Sequence, residues 1–148
     1  MTIKQLFEQF TKEKEIPMAV LRAAEGIPEH LGIMIRGEFG DWESYGMCFE
    51  EERLFTFFVN FGVQVPKENR MAVCAHLNRI NYQLKVGGIY MDWESGNLMA
   101  RTSQYIYGTE EEQAHLVEET VKISAIITDA YYKGIMNEAF RGIDEIKG

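Results

Sequence analysis

Between Leu31 and Val65 the apolar residues fall on alternate positions, and that period of two decides most of what this chain can fold into. Leu31, Ile33, Ile35 and Phe39 make one run, Tyr45, Met47 and Phe49 a second, and Phe55, Phe57, Val59, Phe61, Val63 and Val65 a third. Alternation of this kind marks half-buried strands. The links are Gly40-Asp41 and Glu50-Glu51-Glu52-Arg53, far shorter than the dozen or so residues that a parallel crossover needs. The expectation is an antiparallel meander of three strands with its odd-numbered residues turned to the core.

Helical spacing brackets the meander. Thr2-Ile3-Lys4-Gln5 reads as a capping box, followed by Ile3, Leu6, Phe7 and Phe10 at helical intervals and stopped by Pro17, which predicts a helix over about residues 2–14. Pro66 opens a second helix that carries Val73, Leu77, Ile80 and Leu84 and stops at Gly87-Gly88. Ile89–Trp93 and Leu98–Tyr107, joined by Glu94-Ser95-Gly96-Asn97, read as a hairpin. A second capping box, Thr109 to Glu112, starts a long apolar stripe from Leu116 to Tyr131, with a bend or break expected near Gly134 before Ile135, Phe140 and Ile143. Met18 to Glu25 suits either a helix or a short strand. The reading is one α+β domain over residues 1–148, an antiparallel sheet of about five strands in the order α-β-β-β-α-β-β-α.

Charge narrows the partners. Fifteen basic against 23 acidic residues leave a net of −8, which argues against nucleic acid and against an anionic membrane surface. No apolar run approaches the roughly 20 residues of a membrane span, and the N-terminus lacks the apolar stretch of a signal peptide. A cytoplasmic protein is expected. The charge is uneven: residues 67–85 hold Lys67, Arg70, Arg79 and Lys85 against Glu68, a net of +3, so the remainder carries −11. Arg70, Arg79 and Lys85 are therefore candidates to meet an acidic surface of a partner or of another copy.

Catalytic and metal-binding patterns are missing from the sequence. His30, His76 and His115 are far apart with no paired-histidine motif, and Cys48 and Cys74 lack CxxC spacing, so the cysteines read as buried reduced thiols. Gly87-Gly88 is followed by a strand rather than a helix, which excludes a phosphate cradle. Neither a cofactor nor a metal is expected. Asp-Trp-Glu-Ser occurs twice, at 41–44 and 92–95. Two carboxylates beside an indole would suit a small ligand, and the alternative reading is a small-molecule-binding regulator or an enzyme using a pocket near these two turns, but Asp and Ser are also ordinary turn residues. Asn78 and Asn81 sit inside the second helix, where asparagine competes for backbone groups, so each is assigned a structural hydrogen bond to a neighbouring loop or strand edge.

Met34, Cys48 and Phe58 fall on even positions of the meander, the nominally outer face. Contiguous apolar groups there would mark an interface. Tyr131 and Tyr132 add aromatics of the kind enriched at interfaces. The candidate interaction surface is therefore Met34, Phe58, Arg70, Arg79, Lys85, Tyr131 and Tyr132.

Three segments resemble the YbjN family of bacterial proteins: Phe61-Gly62-Val63-Gln64-Val65-Pro66, the helix with Leu77-Asn78-Arg79-Ile80-Asn81, and the hairpin Gly88-Ile89-Tyr90-Met91-Asp92 with Gly96-Asn97-Leu98-Met99-Ala100-Arg101. The resemblance covers residues 55–140 well. It implies a fold like that of type III secretion chaperones and a sensory-transduction regulator with no agreed enzymatic activity. Those chaperones are small acidic homodimers that bind an unfolded segment of another protein. The expected function is a non-catalytic protein-binding module, regulatory or chaperone-like and dimeric, with a protein or a second copy of itself as partner.

Overall fold

The computed structural model describes residues 1–21 and 25–143. Its elements are α1 (Ile3–Glu13), β1 (Ala19–Leu21), β2 (His30–Gly37), β3 (Gly40–Phe49), β4 (Leu54–Gln64), a single 3-10 turn (Lys67–Asn69), α2 (Arg70–Gln83), β5 (Gly88–Met91), β6 (Asn97–Tyr105) and α3 (Glu110–Ala139). The fold is α+β, and its sheet has six antiparallel strands in the order β1-β2-β3-β4-β6-β5. The extra strand is β1: the segment that suited helix or strand pairs Ala19, Val20 and Leu21 with Gly32, Leu31 and His30.

All three helices bury their apolar stripes on one face of the sheet. Ile3, Leu6 and Phe7 of α1, Val73, Leu77 and Ile80 of α2, and Val117, Val121, Ile127 and Ile135 of α3 belong to one core with the inward strand residues. α1 begins as its capping box requires, with Thr2 Oγ1 accepting from Gln5 N at 3.0 Å and Gln5 Oε1 accepting from Thr2 N at 2.8 Å. Its next free amides, Ile3 N and Lys4 N, donate to the carboxylate of Glu50 at 2.8 and 3.0 Å. Glu50 is thus a helix-terminal anion rather than part of a solvated acidic turn, set where the helix dipole favours negative charge.

α3 runs unbroken through Gly134, which corrects the expected break. One glycine in an exposed helix position costs only about 1 kcal/mol, and Ile135 and Ala139 beyond it are fully buried and hold the last turns in place. The helix stops instead at Phe140, ahead of Gly142 with φ +85°. Where α3 lies on the sheet its contact residues are small and hydroxylic: Thr120, Ser124 and Thr128 are buried, each donating to the carbonyl four residues back. That satisfies the hydroxyls internally and lets the helix approach closely.

Register exposes an error in the simple odd-inward reading. Ile33, Ser44, Val59, Ala100 and Ile89 are successive cross-strand partners from β2 to β5, and all are buried. On β3, therefore, the even residues Trp42, Ser44 and Gly46 face the core, while Tyr45 and Met47 face the other way. Cys48, partner of the buried Phe55, also turns to the helix side rather than to the outer face. Small residues stand inside β3 because rings press on it: a Cβ at Gly46 would lie 3.0 Å from Phe55 and 3.4 Å from Phe7.

Candidate functional site: the open face of the sheet

No described helix covers the opposite face. Ala19, Gly32, Tyr45, Phe58 and Arg101 form one cross-strand row from β1 to β6. Leu21, His30, Met47, Thr56 and Ser103 form the row on one side of it. On the other side stand Met34 opposite Glu43, and Asn60, Met99 and Tyr90 in line. Cross-strand neighbours sit within about 5 Å of one another, so these apolar and aromatic groups form one patch.

At its centre the rings of His30, Tyr45 and Phe58 group together, with centroids 5.9 Å (His30–Tyr45), 6.2 Å (His30–Phe58) and 6.4 Å (Tyr45–Phe58) apart. Thr56 and Ser103 share a hydroxyl hydrogen bond at 2.8 Å, and the Arg101 guanidinium lies 4.8 Å from the Tyr90 ring centroid. Tyr45 donates to Glu43 at 3.1 Å; burial first, and then this carboxylate, raises the phenol above its ordinary pKa. Two shallow grooves of about 300 Å³ adjoin here. One is lined by Met18, Ala19, Leu21, Met34 and Tyr45, the other by Leu21, His30, Tyr45, Phe58, Asn60 and Met99. Met34 stands out from the face at 53% exposure.

The seven surface candidates do not come together. Met34 and Phe58 share the open face, whereas Tyr132 packs beneath the sheet, its ring 5.6 Å from Phe39, 5.5 Å from Trp42 and 5.7 Å from Phe61. Tyr131 beside it is half-buried against the same core. Arg70 is committed inside the molecule: its guanidinium donates to the carbonyls of Val65, Trp93, Glu94 and Ser95 at 2.8–3.1 Å, clamping the β5–β6 turn to the start of α2. Arg79 and Lys85 are exposed, with Arg79 about 14 Å from Arg70 along the helix axis.

The two asparagines also part company. Asn81 donates to Ile89 O at 2.8 Å and accepts from Ile89 N at 2.9 Å, taking both backbone groups that Ile89 of the edge strand β5 turns outward. Asn78 is exposed and, among the described residues, its amide has no partner. The Asp-Trp-Glu-Ser copies differ in form. Residues 41–44 are strand with Trp42 in the core, while residues 92–95 are a turn in which Ser95 Oγ donates to Asp92 at 2.7 Å and Trp93 stands outside. That hydrogen bond holds the Asp92 carboxyl below its usual range, the behaviour of a turn residue.

Sequence reasoning passed over Tyr45, Met99 and Leu21. For Tyr45 the signal lies in the aromatic and Met content of β3, whose alternation reads equally as core. Cys48 sits beside Lys4 and Glu50; burial, reinforced by Glu50, pushes its thiol up to about 12, which makes it a poor nucleophile.

Fold and face together define a small α+β domain with a one-sided antiparallel sheet and an apolar open face. The chain belongs to the YbjN family, described as "Putative bacterial sensory transduction regulator", whose family model matches residues 7–135. Among solved structures, YbjN from E. coli, described as "a putative transcription regulator", matches with a TM-score of 0.59 at 12% identity, over 88% of this chain and 91% of that one. At that identity the likeness is one of fold. No curated protein matches the sequence.

Proposed function

We propose that this chain is a regulatory domain that works by binding protein on the open face of its sheet, without catalysis. The observation that carries the reading is the contiguity of Leu21, Met34, Tyr45, Phe58 and Met99 on a face that no described helix covers. A patch of this kind is the usual mark of an interaction surface, and Tyr, Phe, Met and Arg are the residues enriched in interface centres. The family's description as a regulator supports the regulatory part of this reading.

Affinity capture from native cells tests it. Proteins held by the wild-type chain should be lost with Phe58→Asp, which places a charge in the patch, and retained with Tyr82→Asp, where Tyr82 is 91% exposed on α2. Retention with Phe58→Asp and loss with Tyr82→Asp would overturn the assignment.

A further inference from the structure

Charge is distributed so that the sheet stands apart from the rest of the molecule. The six strands contain four charged residues: Arg36, Arg101, Asp41 and Glu43. Two positive and two negative give zero, so the whole net charge of −8 lies on helices and links. All four lie on the open face, since Arg36 is opposite Asp41, Glu43 is opposite Met34, and Arg101 is opposite Phe58. Arg36 and Asp41 pair with each other at 3.5 Å, which leaves Glu43 and Arg101 flanking the Tyr45–Phe58 centre on opposite sides.

We infer that the occupant of this face is a second copy of the same chain, docked face to face about a two-fold axis near Phe58, with Glu43 of each copy turned toward Arg101 of the other. The inference rests on the reading of the open face as a binding surface. Elsewhere a two-fold contact sets like charge against like, the acidic links and the start of α3 against themselves or the basic α2, with its net of +3 over residues 67–85, against itself, and like charges set against each other oppose association. A neutral apolar face is the surface on which identical molecules meet without that cost, and a two-fold contact needs a patch complementary to itself. Opposite charges on either side of an apolar centre supply that.

The area is sufficient. Six strands span about 24 Å, and the central strands pair over six to eight residues, about 20–27 Å, roughly 600 Å² in plan per copy. Two copies would bury roughly 1,200 Å², within the range of stable interfaces. The half-exposed Met34 and the grooves beside it provide a knob and a recess for interlocking.

Light scattering over a concentration series tests the inference, with circular dichroism confirming the fold of each variant. The wild-type chain should show twice its 17.1 kDa. Glu43→Arg changes the face to +2 and Arg101→Glu changes it to −2, so each alone should be monomeric. An equimolar mixture of the two should recover the dimer mass. A wild-type mass of 17.1 kDa at the highest concentration, or a dimer that survives both single substitutions, would overturn the inference. If the wild-type chain is monomeric while Phe58→Asp still abolishes capture of other proteins, the binding face stands and the second copy does not. If Phe58→Asp changes neither mass nor capture, both fail.

Discussion

Asn81 on α2 holds both outward-facing backbone groups of Ile89 on β5, donating to its carbonyl and accepting from its amide. One side-chain amide thus stands in for a neighbouring strand along the free edge of the sheet, and edges left unpaired are sites of unwanted pairing. Removing it leaves two part-buried groups unsatisfied. Asn81→Ala should cost about 1–3 kcal/mol, while Asn78→Ala, three residues away and exposed, should stay within about 0.5 kcal/mol. Urea denaturation followed by circular dichroism measures both. Equal effects would remove the distinction between the two asparagines.

Trp42 lies across Gly37 on the neighbouring strand, so a Cβ at position 37 would overlap the indole and come within 2.8 Å of Asp129. Asp129 of α3 accepts from Glu38 N at 3.0 Å and so ties the β2–β3 turn to the helix layer. Gly37→Ala should therefore lower stability by about 1–3 kcal/mol, as overpacking does, and should shift the emission of Trp42. A Trp93→Phe background isolates that signal, because Trp93 is the exposed indole.

The Arg70 clamp depends on a flat fork of donors reaching four carbonyls, and an ammonium cannot reproduce that geometry. Arg70→Lys should raise hydrogen exchange across residues 92–97 and cost about 1–3 kcal/mol. Arg79→Ala should do neither.

Cys48 links stability to alkaline pH. Its thiol ionises near 9 in the unfolded chain and is pushed up to about 12 in the folded one. Below pH 9 both states hold the proton and the contribution is complete. From there to about 12 the unfolded chain releases it first, so stability falls as pH rises. Thermal melts between pH 8 and 11 should show a decline that Cys48→Ala makes shallower. At pH 8 iodoacetamide should leave Cys48 of the native chain unmodified and label it after unfolding.

How far the sequence could be read depends on which face each residue serves. The periods of α1, β2, β4 and α2 were legible because one side of each is clearly apolar and the other is not. β3 was misread because its open face carries Tyr45 and Met47 while its core face carries Ser44 and Gly46, the reverse of an ordinary half-buried strand. The misreading has the same physical origin as the candidate site: Tyr45 and Met47 make the solvent face apolar, opposite a stretch of core face beyond Trp42 that is kept small at Ser44 and at Gly46, where the rings of Phe7 and Phe55 press. β1 was illegible because three exposed residues carry no periodicity. The roles of Glu50 and Arg70 depend on partners 46 and 24 residues away, which local patterns do not encode.

The central claim is that partners meet this protein on the open face of the sheet. A photo-cross-linking amino acid placed at Met99 in one variant and at Tyr82 in another, irradiated in living cells, tests it most directly, since both side chains are exposed and they lie on opposite layers. The account predicts a discrete cross-linked product from position 99 and none from position 82. A product from position 82 with none from 99 would contradict it.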